Sequence, residues 1–119
     1  MYRETQIGEK TVPLLANGAT PFWYKQIFHK DIIAQISGAE DEIEALVEAA
    51  PELAFVMAKQ AECEKFEDMR KYGTENFYEW LQDFDAMDIP MAMEQIMAVY
   101  MGNKIMTSEP KKKEEEKRA

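Results

Sequence analysis

Two short runs of apolar or β-branched residues, 3–7 and 11–15, flank Gly8-Glu9-Lys10, a spacing that predicts a small antiparallel hairpin. Asn17-Gly18 marks the next turn, because both residues tolerate a positive φ. The period then changes from two to about four. Tyr24, Phe28, Ile32 and Ile36 fall on one line, with Ile27 and Ile33 widening it, so a helix is predicted from Thr20-Pro21 to Ser37-Gly38. Proline suits the first helical turn, and Gly38 is expected to close the helix in the left-handed conformation. Asp41, with Glu44 three residues on, predicts a second start. From there Ile43, Leu46, Val47, Ala50, Ala54, Met57 and Ala61 share one face. Pro51 interrupts that pattern and predicts a break or kink near Ala50, with the segment running on to about Lys71. Phe77, Trp80, Leu81 and Phe84 predict a third helix capped by Thr74. Met93, Ile96, Met97 and Tyr100 predict a fourth, capped by Asp88 and ended by Gly102-Asn103.

The expected fold is therefore mainly α. A hairpin (1–16) precedes an irregular bundle of four to five helices (17–104), centred on Phe28, Met57, Trp80 and Ile96. A charged segment (105–119) follows, too poor in apolar residues to offset its ordering entropy and expected to be a disordered tail. A chain of 119 residues is one domain's worth and buries roughly 65% of its unfolded surface. No apolar run approaches the ~18 residues that cross a bilayer, and residues 1–10 have no signal-peptide character. With Cys63 the sole cysteine, no internal disulfide forms and a cytosolic setting is expected.

Charge narrows the partners. The net charge is −9, and the acid is concentrated mid-chain, with −6 over residues 39–73 and −5 over 74–89. Such a surface repels phosphate backbones, so no nucleic acid is expected as a partner; a basic protein suits it better.

Candidate chemistry is sparse. His29 is the only histidine, too few for a typical zinc or di-iron site, and reads as a polar helix position. Cys63 stands between Glu62 and Glu64, which raise a thiol pKa, so it reads as a filler rather than a nucleophile. The acidic group Glu40, Asp41, Glu42, Glu44 and Glu48 lacks the glycine and alternating oxygens of a calcium loop and matches a helix dipole instead. Asn17-Gly18-Ala19-Thr20 lacks a following P-loop lysine. No catalytic, cofactor-binding or metal-binding residues are assigned, and an enzyme is not expected.

Methionine is the informative excess. Six of nine lie after residue 86, and Met91, Ala98 and Met101 form a second face on the fourth helix, apart from the inner one. Flexible thioethers suit surfaces that change partners, and equally a wide core stripe in a small bundle. Phe22 and Trp23 likewise stand off the Tyr24–Phe28–Ile32 line. Phe22, Trp23, Met91 and Met101 are therefore expected to be partly exposed and to bind a partner.

The order of pieces carries a resemblance. TVPLLANG leads into ATPFWYKQIFHKDII, followed by an acidic linker, the helix LAFVMAKQAE, the block NFYEWLQDFD and a final Ile/Met helix. This is similar to the small tail assembly chaperones of long-tailed phages of Gram-positive bacteria. The matching positions are Asn17-Gly18, Tyr24-Lys25, Phe28 to Asp31, Ala54 to Ala61 and Phe77 to Asp85, and the resemblance spans roughly residues 7–101. His29 stands where that family more often has glycine.

The resemblance implies a protein that coats the long helical tape measure protein, helps bring in the tail tube protein, and is absent from the finished virion. It implies no catalytic residues, a homo-oligomer in the host cytoplasm, and in many members a longer frameshifted form. Lys111-Lys112-Lys113, encodable by a run of A, is a place where such a shift could occur. A rival reading uses the acidic middle of the chain as a small anti-repressor or nucleic-acid mimic directed at a basic protein.

Overall fold

The computed structural model describes residues 1–102. The expected disordered tail (105–119) lies outside the described residues, as does Asn103. The protein is mainly helical with an N-terminal antiparallel hairpin: β1 (Tyr2–Ile7), β2 (Lys10–Leu15), α1 (Thr20–Phe28), α2 (Ile32–Ser37), α3 (Glu42–Glu62), a 3-10 segment (Phe66–Lys71), α4 (Thr74–Leu81) and α5 (Asp88–Met101).

The hairpin forms as its pattern dictates. Ile7 opposes Lys10, leaving Gly8-Glu9 as a two-residue turn, and Gly8 takes the positive φ (63°) that such a turn needs at its first position. A β-carbon at Gly8 would also run into the Asp88 carboxylate at the start of α5. Thr5, Ile7, Val12 and Leu14 face inward and bury one side of the hairpin against α3 and α5. Thr5 is the exception in that row: its hydroxyl is buried with no hydrogen-bond partner in the protein. An unpaired buried hydroxyl costs about 1–3 kcal/mol. Thr5→Val, which keeps the shape, should therefore stabilise the fold by about 1 kcal/mol, read as a raised urea midpoint; an unchanged or lowered midpoint would show that the hydroxyl is satisfied.

α3 is the axis of the fold, packed against β2, α1, α2, α4, α5 and the 3-10 segment. Six consecutive residues, Leu53 to Ala58, are buried, as in a helix covered on all sides. Pro51 does not break it: α3 is continuous from Glu42 to Glu62. The carbonyl that loses its donor belongs to Val47, which is exposed, so water can replace that bond. The helix then stops at Cys63 rather than running to Lys71, and residues 66–71 form the 3-10 segment.

The predicted first helix is two. His29 turns left-handed (φ 60°, ψ 35°), and its N–H donates to the Lys25 carbonyl at 2.8 Å. Asp31 then starts α2 by accepting from the N–H groups of Ile33 (3.0 Å) and Ala34 (3.1 Å). A cap of this kind contributes about 0.5–2 kcal/mol, comparable with the cost of one left-handed residue. A glycine at this position would carry no such cost. Gly38 ends α2 but in a right-handed conformation; the left-handed glycine cap is Gly102 on α5 (φ 65°).

Two caps move as well. Gly73 rather than Thr74 precedes α4, with Asn76 accepting from the Gly73 N–H at 2.9 Å. Asp88 is the first residue of α5 and accepts from the Asp85 N–H, closing the preceding loop. Phe28, Met57 and Ile96 lie in the core as expected, but Trp80 is only half-buried. It meets Phe55 (5.7 Å) and Phe84 (4.9 Å) with one side, while the other lines a surface cleft with Lys59, Tyr72 and Asn76.

Candidate functional site

The four residues after Thr20 point in four directions because each helical step turns the side chain by about 100°. Tyr24 goes inward: it is fully buried, and its hydroxyl donates to Glu52 of α3 at 2.6 Å. Lys30, in the turn after α1, pairs with the same carboxylate at 3.0 Å, so one acid ties the middle of α1 and the turn that follows it to α3. Burial, then Glu52, holds the Tyr24 hydroxyl well above the usual tyrosine range. Trp23 is also buried, 2% exposed, contrary to the expectation that it faces a partner. Phe66 of the 3-10 segment covers it at 4.6 Å. Sequence periodicity could not place that cover, since Phe66 lies outside any regular helix.

Phe22 remains exposed, stacked on the equally exposed Phe66 at 6.0 Å. Phe66 was not anticipated; the one available signal is a lone aromatic within the charged run CEKFEDMRK. Beside the pair lies a cleft of about 380 Å³ lined by Phe22, Trp23, Gln26, Ile27, Met69, Arg70 and Tyr72. The loop leading into α1 is held by a polar staple. The Thr20 hydroxyl donates to Gln60 Oε1 of α3 (2.7 Å), and Gln60 Nε2 donates to Asn17 Oδ1 (3.2 Å). This fixes the α1 N-terminus, which carries Phe22, against α3.

A second apolar surface lies between α3 and α5. Val47, Ala50 and Pro51 form one wall and Ile89, Pro90 and Met93 the other, around a hollow of about 160 Å³. Ile43, one turn before Val47, is 72% exposed, and Met91, next to Pro90, is 77% exposed. Both side chains stand in solvent, Ile43 on α3 and Met91 on α5. Ile33, placed on the inner stripe by periodicity, is likewise exposed once α2 turns away from α1. Met91 thus stands in solvent, Met101 is half-buried at the end of α5, and Met97 is in the core. Phe22 and Met91 are on separate surfaces; the fold does not unite the four residues singled out from the sequence.

Groups with chemical potential are quiet. His29 is exposed, and among the described residues no three His, Cys, Asp or Glu side chains gather in a metal-holding group. Burial, with Asp68 next, pushes the Cys63 thiol up, and burial first also raises Tyr72 and Tyr100, so all three stay protonated at neutral pH. Among the described residues no helix is long and apolar enough to cross a membrane.

No protein family, no curated protein and no solved structure matches this chain.

Proposed function

We propose that the protein is a phage tail assembly chaperone, a binding protein that shields apolar helical segments of the tape measure protein, helps recruit the tail tube protein in the host cytoplasm, and leaves before the virion is complete. What supports this reading is the exposure of large apolar side chains on helical surfaces of an acidic protein. Phe22, Phe66, Ile43, Val47 and Met91 are each more than two-fifths in solvent. Side chains of this kind favour a covering polypeptide over water, and an amphipathic helix is the natural cover for a helical groove. Weak sites repeated along a long client gain by avidity, which favours self-association of the chaperone on it.

The test is capture of the tape measure protein from co-expression. Combined Phe22→Ala, Met91→Ala and Met101→Ala should cut recovery several-fold, while far-UV circular dichroism stays as in the parent. Trp23 is left intact, because its loss damages the core and mimics a binding defect. Unchanged recovery removes these three residues from the reading; no recovery by the parent protein removes the reading itself. Salt separates the rival: an acidic mimic's complex weakens steeply with ionic strength, whereas apolar contacts persist.

A further inference from the structure

We infer that the α3–α5 groove, rather than the Phe22–Phe66 surface, receives the client, and that it selects amphipathic helices whose apolar stripe is flanked by basic residues. The inference rests on the chaperone reading and narrows it to one site and one class of partner.

The shape of the groove sets the first requirement. Its α3 wall runs from Val47 to Pro51, about 6 Å at 1.5 Å per residue, or roughly one turn of a partner helix, with exposed Ile43 one turn further along α3. The hollow of about 160 Å³ is smaller than a typical small-molecule site. It suits a side-chain knob presented at i, i+4 or i+7 of a helix. Every lining side chain, Val47, Ala50, Pro51, Ile89, Pro90 and Met93, is apolar, so no side-chain donor faces the hollow.

The charges around it set the second. Residues 31–58 contain seven acids and no lysine or arginine; residues 72–102 contain six acids and likewise no lysine or arginine. Glu52 among them is paired with Lys30, but the groove's own stretches, 43–51 and 88–94, carry one sign only. Glu44 and Glu48 follow Ile43 and Val47 by one position on α3, and Glu94 stands one turn beyond Pro90 on α5. All three are exposed. A helix laid into this groove would bring its flanks against these carboxylates, so lysine or arginine there is attracted and glutamate repelled. The Phe22–Phe66 surface lacks this bias, since Lys65, Arg70 and Lys25 lie near it in sequence alongside Glu64 and Glu67.

The experiment uses the full chain and three labelled synthetic helical peptides. They share one Leu/Ala stripe and differ only in flanking residues, all lysine, all glutamine or all glutamate. Fluorescence anisotropy at low salt should show the lysine peptide binding at least about 10-fold tighter than the glutamate peptide, with the gap narrowing as salt rises. Val47→Gln, at a partly exposed position that tolerates it, should weaken the lysine peptide at least about 5-fold by spoiling the apolar floor. Glu44→Lys with Glu48→Lys should reverse the order of the peptides.

Equal binding of all three peptides overturns the inference. So does binding that survives Val47→Gln but is lost with Phe22→Gln; in that case the chaperone reading stands with a different site. If no peptide binds, the inference falls, and whether the tape measure protein is still captured decides the fate of the wider reading separately.

Discussion

Replacing Trp23 by alanine is expected to cost about 3–5 kcal/mol of stability, whereas the same change at adjacent Phe22 should cost less than about 1 kcal/mol. The two residues differ by one position and by a hundred degrees of helix rotation. Trp23 is enclosed, with Phe66 at 4.6 Å and Phe22 edge-on at 4.8 Å. Removing the indole leaves a hole that the anchored α1 cannot close, because Tyr24–Glu52 and Thr20–Gln60 fix the helix on either side of it. Phe22 is 47% exposed, so its truncation forfeits only part of a side chain's burial. Urea unfolding followed by circular dichroism separates the two. A cost for Trp23→Ala no larger than that for Phe22→Ala would mean that the indole is a surface group.

The other large effect is expected at Phe55. Its ring is fully buried and meets Phe28 (6.4 Å), Phe77 (5.6 Å), Trp80 (5.7 Å) and Tyr72 (6.0 Å), so rings from α1, α4 and the turn before α4 converge on one residue of α3. Phe55→Ala should cost about 3–5 kcal/mol, much of the roughly 5–15 kcal/mol a domain has in hand. The loss should also loosen α4, which reaches α3 chiefly through Phe77 and Trp80. The near-ultraviolet signal of Trp80 should accordingly weaken in the variant under conditions where far-ultraviolet helicity persists. A variant that unfolds in one step, with the parent's near-ultraviolet signal intact up to the midpoint, would show that α4 is held in some other way.

Local sequence signals fared unevenly, for identifiable reasons. Asp41 caps α3 as its spacing with Glu44 suggested, because a side-chain oxygen two or three residues from free N–H groups needs no help from the rest of the fold. Asp31 makes the same pair of bonds, yet periodicity alone had run a single helix through it. Where a stripe of apolar residues competes with a cap, the stripe says only that a helix is compatible. Pro51 errs the other way. Its cost predicts a break, but the carbonyl it orphans belongs to Val47, an exposed residue.

The candidate surfaces were the least legible. Phe22 and Met91 stand exposed and Trp23 does not, although nothing in the order of residues 20–24 distinguishes their fates. Phe66, the partner that decides the matter, is forty-odd residues away in sequence and outside any periodic segment.

What the chain determined by itself was local: the Gly8 turn and its alternating strands, the start at Thr20-Pro21, the Asp41 cap, the Gly102 stop, and the mainly helical class. Each depends on backbone geometry and on residues within a turn or so of one another. Tertiary structure alone decided which apolar faces are covered, where the first helix divides, and that Val47, Pro51, Pro90 and Met93 border an open groove. Burial depends on where neighbouring elements end in space, and an amphipathic stripe reads the same whether the surface opposite is another helix of the chain or water.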